Sequence, residues 1–290
     1  MRKYVLVMIA LGVLTTINAQ FYVSSSIGYA LGSAEVKLGN ELTPTETINY
    51  YGSYGEGANY QFRVGYFFND TFGVDFGFAY LHGADQTIKK VTLPTRELNA
   101  IAHGRAYGFT PSVVYKFTDK LYGRFGALIK LGGKTEAVIN DKNYMADDIN
   151  DITISQAFGL PEGAFTQTNY IEDFRGKLPL GFVGAFGYKQ DFKNNISLFV
   201  EAEYMGISVK RNDSEIVVFN TDVILADGTV AIPNFYSLDN LPNGYVQSST
   251  YVDELAHSNT NTSLKLAERV PYSSFGINVG ISYTFSKKNK

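Results

Sequence analysis

The stretch YQFRVGYFFNDTFGVDFGFAYL, residues 60–81, decides the fold. Tyr60, Phe62, Val64, Tyr66 and Phe68 share one parity, with Gln61, Arg63 and Gly65 on the other. After Asn69-Asp70-Thr71 the alternation resumes, with Phe72, Val74, Phe76, Phe78 and Tyr80 set against Gly73, Asp75, Gly77 and Ala79. Successive side chains of a strand point to opposite faces, so these residues form a hairpin with one aromatic face and one face of glycines and isolated charges. A soluble sheet turning its polar side to water has little use for so many glycines. The crowded interior of a membrane barrel does.

The same grammar recurs along the chain. The spacing predicts eight strands, at residues 22–31, 60–68, 72–81, 107–117, 121–131, 178–189, 196–204 and 275–285. Each is about ten residues long, the length of a tilted bilayer-crossing strand. Three connections, after Phe68, Phe117 and Lys189, are a few residues long. The other four, residues 32–59, 82–106, 132–177 and 206–272, are long and alternate strictly with the short ones. The expected fold is therefore all-β: one eight-stranded, antiparallel, transmembrane, up-and-down barrel. Short turns lie at one rim and long extracellular loops at the other, with both termini periplasmic.

Composition agrees. The 290 residues hold 21 Tyr, 21 Phe, 28 Gly, no Trp and no Cys, so Tyr must supply the polar-tipped members of any aromatic girdle. Lack of cysteine removes a lipoprotein anchor, disulfides and thiolate metal sites. The net charge of -3 carries no nucleic-acid footprint. Residues 1–19 have the form of a secretory signal peptide: Arg2 and Lys3, a short apolar run, and a small residue, Ala19, before Gln20. Residues 20–290 are then the barrel domain.

Three features strain the pattern. Pro111 falls inside the fourth strand and cannot donate to a ladder, which suggests a bulge there. Pro179 and Pro271 fall near outer strand ends, where pairing is expected to have stopped. In the last long connection, residues 215–232 read as a further hairpin turning at Asp227-Gly228, expected to be an extracellular extension, with two additional membrane strands as the alternative.

GYFFNDTFGVDFGFAYL (residues 65–81) and the closing GINVGISYTF (residues 276–285) resemble the small eight-stranded outer-membrane proteins of the OmpA/OmpX type. The resemblance implies an outer-membrane location and insertion by the β-barrel assembly machinery. It implies a C-terminal assembly signal at Ile281, Tyr283 and Phe285, although five residues follow Phe285. A peptidoglycan-binding domain, frequent in that family, is not expected after so short a tail. The Ala19-Gln20 junction also resembles exported proteins of Bacteroidota.

Parity sends Arg63, Asp75, Lys116, Arg124, Lys130, Lys189, Glu201 and Glu203 into the lumen, where side chains fill an eight-stranded barrel and charges must be paired. A register placing Phe68 opposite Phe72 sets Arg63 diagonal to Asp75, within reach of a long side chain. On this reading an acid at Ile281 blocks insertion, whereas Asn278→Asp is mild. The histidines are His82, His103 and His257. His82 and His103 flank one connection and could meet at the rim near Asp85, but no hydrolase motif surrounds them. Asp141, Asp147, Asp148, Asn150, Asp151 and Asp173 could offer calcium oxygen ligands, yet without the spacing of a known loop. Tyr50, Tyr51, Tyr54 and Tyr60 read as an interfacial belt or a contact surface. No catalytic residue, metal or cofactor is expected. The partners expected are outer-membrane lipids and lipopolysaccharide, the assembly machinery, and other members of a surface complex. The function expected is non-enzymatic: binding or complex membership through the long loops. A small channel and a rim-located hydrolase are the alternatives.

Overall fold

The computed structural model describes residues 20–34 and 36–285. The expected signal peptide, residues 1–19, and the tail after Phe285 lie outside these residues. Eight strands form a closed antiparallel ring: β1 (Gln20–Gly32), β2 (Gly57–Phe67), β3 (Phe72–Gly83), β4 (Arg96–Lys116), β5 (Leu121–Asn143), β6 (Leu180–Asp191), β7 (Ile196–Gly206) and β8 (Ser274–Thr284). Each pairs with its neighbours in sequence order, and β8 returns to β1 along Tyr22↔Thr284 to Gly32↔Ser274. No strand edge is left in the ring, which is what a sheet in hydrocarbon requires.

Parity holds within this ring. Phe62, Phe76, Phe78, Phe125, Phe186 and Val279 point outward, each about half exposed, while Glu201 and Asn278 inside are 0% exposed. The exposed apolar band ends in aromatic rows. At the short-turn rim Phe72, Tyr115, Phe117 and Phe186 touch in sequence. At the other rim Tyr60, Tyr80 and Tyr107 stack across three adjacent strands. Phe72 and Tyr80 are eight residues apart on β3, a span of roughly 26 Å along the strand. With a barrel tilt of 35–45° the band stands roughly 20 Å tall, near the apolar height of outer-membrane barrels.

The short turns are held by their own side chains. Asn69 Oδ1 accepts from the backbone N–H of Thr71 and Phe72, and Thr118 Oγ1 from those of Lys120 and Leu121. Asn194 and Asn195 adopt left-handed backbone in the third turn, a conformation asparagine tolerates better than most residues.

The long connections are not loops in the sense expected. β4 and β5 run well past the apolar band, paired up to Arg96↔Asn143. Their neighbours continue the sheet outward. Gln86–Leu93 pairs with β4, followed by Val36–Leu42 and Thr47–Gly52; Phe165–Gly176 pairs with β5, followed by Ser208–Ile224. The predicted outer limits at residues 107 and 131 thus fall about a dozen residues short of the observed ones at Arg96 and Asn143. Val230–Ser237 folds back on Ser208–Ile224 through a turn at Gly228, so this hairpin extends the outer storey and adds nothing to the ring. At its base the storey packs a core of Tyr54, Ala100, Ala102, Ala137, Ile139, Val209 and Tyr272. Ile154, Ala164 and Val223 form a second one at the capped helix α1 (Ile154–Phe158).

Two proline expectations need correction. Pro111 causes no bulge: the register is the same before and after it, Phe109↔Ile129 and Ser112↔Gly126, and only the pairs between are missing. The register shift lies instead between Tyr107 and Gly108, which pair with Gly132 and Lys130 and leave Leu131 of β5 as the extra residue. Pro271 remains within the sheet, pairing with Ser208 while its carbonyl accepts from the Tyr54 N–H.

Candidate functional site: a charged lumen beneath an apolar lid

The inward faces of β2, β5, β7 and β8 build one buried layer of charge. Arg63 Nη1 donates to Glu201 Oε1 at 2.8 Å, and the Tyr122 hydroxyl donates to the same oxygen at 3.0 Å. Arg124 pairs with Glu203 and stands with its Nε 3.7 Å from Glu201. Glu203 Oε1 also accepts from Gln61 Nε2 at 2.6 Å and from Asn278 Nδ2 at 3.1 Å. Arg63 covers the ring of Phe199. The glycines opposite make room for this. A Cβ on Gly187 would lie 2.3 Å from the Tyr122 ring, and one on Gly65 would lie 2.1 Å from that of Tyr22.

The expected register of β2 and β3 is the one observed, with Phe67 opposite Gly73 and Arg63 opposite Gly77. The diagonal Arg63–Asp75 pair does not form. Arg63 reaches across the lumen to Glu201, and Asp75, 1% exposed, accepts from the Tyr22 hydroxyl at 3.2 Å. Lys116 sits apart from the layer near the short-turn rim, over the Phe67 ring, and Lys189 there pairs with Asp191. Asn278 was expected to tolerate an acid. Its donation to Glu203 overturns that, because aspartate would set two buried carboxylates face to face.

Above the layer, toward the long-connection rim, the lumen becomes apolar. Leu128, Met205, Ile207, Tyr54 and Tyr272 close it, and the Tyr272 hydroxyl shares a 2.6 Å hydrogen bond with Thr135 Oγ1. Sequence reading did not find this lid, since Tyr54 and Tyr272 lie outside the alternating segments. The four tyrosines of the first connection do not make one surface. Tyr54 is buried in the lid, Tyr60 lies on the barrel wall, Tyr50 hydrogen-bonds Glu41, and Tyr51 is exposed.

On the outside of the storey, Asp85, His103, Glu136, Lys134 and Asp173 form a row. His103 Nδ1 meets Asp85 at 2.8 Å and its Nε2 meets Glu136 at 3.1 Å; Lys134 bridges Glu136 and Asp173 at 2.6 and 2.8 Å. The Lys134 ammonium, followed by His103, holds the Glu136 carboxyl below its usual range. Both ring nitrogens of His103 face carboxylates, and it forms no hydrogen bond with His82 or with a hydroxyl. Asp141 is held by Arg96 through two hydrogen bonds, and Asp147 by Asn150, whose amide lowers its pKa. Among the described residues no group of three or more His, Asp or Glu is placed to hold a metal ion. Ile281 and Tyr283 lie on the outer face of β8, and Phe285 follows its last paired residue, the Tyr283 and Phe285 rings meeting edge to face at 5.0 Å.

No family model matches the chain, and no curated protein matches it. Among solved structures the chain is similar to Neisserial surface protein A, at 13% identity over 92% of this chain and 99% of that one, with a TM-score of 0.32. It is similar to Ail, the attachment invasion locus protein of Yersinia pestis (10% identity; 93% and 100% covered; TM-score 0.30). It is also similar to the outer membrane protein OprG from Pseudomonas aeruginosa (10%; 93% and 97%; 0.37). At such identities no ligand, activity or partner passes from those proteins to this one.

Proposed function

We propose that this chain is an integral outer-membrane barrel that performs no chemistry and works through its outer storey, as a binding surface or as a subunit of a larger surface complex. The observation that carries this reading is the storey itself. It is a paired sheet with two apolar cores, built well beyond what closing eight strands needs, on a barrel whose lumen is crossed by a layer of paired charges. Ordered structure of that extent away from the membrane is usually functional. A rim hydrolase would need a nucleophile beside a histidine. His103, clamped by two carboxylates, has none in hydrogen-bonding contact. Outer-membrane lipids, lipopolysaccharide and the assembly machinery are the partners such a barrel would meet.

The test is native purification of the tagged chain from outer membranes, beside a variant in which residues 145–164 are replaced by a short Gly-Ser linker. A partner held by the full chain and lost with the tip supports the reading. Both forms emerging alone, fully folded, would count against it. Topology has its own check. A tag at Thr118-Asp119 should face the periplasm, and tags at Asn150 or Asn243 should be labelled on intact cells. Labelling of the first and not the others would invert the orientation.

A further inference from the structure

Between the charged layer and the lid lies a chamber of about 70 Å³. Its walls are largely apolar, with Leu128, Met205 and Ile207 among them, and Glu203 belongs to its charged end. Lys130 enters this chamber from β5. It is nine-tenths buried, yet it forms no hydrogen bond and no ion pair with any described residue; its ammonium stands 5.4 Å from the centre of the Tyr272 ring. The other buried cations of the lumen have carboxylates of their own, Arg63 with Glu201 and Arg124 with Glu203. Glu203 cannot easily serve Lys130 as well, because Gln61, Asn278 and Arg124 already occupy both its oxygens. An ammonium withdrawn from water without a counter-ion is costly, and the chamber offers space in which one could sit.

We propose that this chamber binds a short-chain carboxylate, with Lys130 anchoring the anionic head and the apolar walls holding the hydrocarbon tail. The walls disfavour a bare inorganic ion, which would lose its hydration without compensation. The volume is about half that of the 150 Å³ apolar cavity known to admit benzene, which limits the tail to roughly two to four carbons. The chamber is separated from the outer end by a gap of only about 10 Å³. Lys130 lines this gap too, with Val209, Phe174 and Arg211. Arg211, with Phe174 and Tyr251, then lines an open vestibule of about 430 Å³. Arg211 there pairs with Glu268, and Glu172 shares the vestibule, so Lys130, next to the Thr135–Tyr272 hydrogen bond, is the first buried cation on this side without a carboxylate of its own. This site is independent of whatever the tips of the storey bind.

The test is titration of the refolded, full-length protein in detergent with ¹³C-carboxyl butyrate, followed by NMR line broadening and calorimetry. Saturable binding of butyrate is expected, with none of butylammonium and no competition by chloride. Lys130→Met should weaken butyrate by about tenfold or more, the loss of one buried charge–charge contact. Ala79→Leu, which fills the chamber and keeps the lysine, should weaken it as much, and Lys116→Met at the far rim should leave it unchanged. Absence of saturable butyrate binding to the wild-type protein would overturn the proposal. So would undiminished binding to folded Ala79→Leu, or equal binding of butylammonium.

Discussion

Glu201→Ala is expected to destabilise the barrel by about 3–5 kcal/mol, the range for removing one partner of a buried ion pair. The carboxylate is 0% exposed, and its Oε1 accepts from both Arg63 and Tyr122. Without it, Arg63, 4% exposed, keeps no hydrogen-bonded carboxylate, only the face of Phe199 and the more distant charge of Asp75. Arg124→Ala should cost less, because Glu203 would still accept from Gln61 and Asn278. Glu172→Ala, in the outer storey, should stay within about 0.5 kcal/mol. Urea unfolding followed by heat-modifiable gel mobility measures all three. If the penalty comes from an uncompensated charge, the double variant Arg63→Met/Glu201→Met should recover much of it, as apolar replacement of a buried pair often does. The same packing predicts no sustained conductance from wild-type protein in planar bilayers, because eight strands enclose little more than their own side chains. Stable wild-type channels, whose ion selectivity but not stability changes in Glu201→Ala, would show that the lumen conducts.

The membrane half of the fold was legible because two different media act on its two faces. Lipid outside and a packed lumen inside impose a strict alternation, and it fixed the β2–β3 register correctly through Phe68 and Phe72. The outer storey was misjudged for a physical reason rather than for lack of signal. Residues 96–106 alternate too, with Leu98, Ala100, Ala102 and Ala106 against Glu97, Asn99, His103 and Arg105. Here the polar set faces out and the small apolar set faces in, the reverse of Phe109, Val113 and Tyr115 on the same strand. The sign of the pattern flips where β4 leaves the hydrocarbon. A reading tuned to aromatic outward faces therefore ends the strand at Tyr107. β5 shows the same change between Leu131, exposed to lipid, and Ala137 and Ile139, buried in the core of the storey.

The lumen was legible as a list of residues and not as a set of partners. Parity says that Arg63, Asp75, Arg124, Glu201 and Glu203 point inward. It is silent on contacts across the barrel, and Arg63 and Glu201 are 138 residues apart in sequence. The nearest opposite charge on a neighbouring strand, Asp75, was the natural guess for Arg63, but Tyr22 took that carboxylate through the space left by Gly65. Lys130 illustrates the complement: sequence places it inside with the other charges, and only the folded lumen shows the apolar chamber of Leu128, Met205 and Ile207 that it occupies without a carboxylate partner.

Ile281→Asp should largely block insertion of the barrel, whereas Ser282→Asp should be tolerated. Ile281 lies on the outer face of β8, 49% exposed, opposite Ser25 of β1 and Leu198 of β7, at the seam where the ring closes. An acid there must enter hydrocarbon without a partner, at a cost of about 1–3 kcal/mol that grows with depth. Val279, two residues farther from the short-turn rim, should therefore tolerate aspartate even less. Phe285→Ala removes only an aromatic contact with Tyr283 and should slow insertion rather than prevent it. Ser282 is the proper control on the lumen side. It is 6% exposed and lines the same end of the barrel as Lys116 and Lys189, so a new carboxylate would find cations nearby. Asn278 is not a control, since its amide serves Glu203. Insertion yields into liposomes containing the assembly machinery, read by protease protection and gel mobility, give the comparison. Equal yields for Ile281→Asp and Ser282→Asp would mean that β8 does not present Ile281 to lipid, and the parity of the closing strand would have to be reversed.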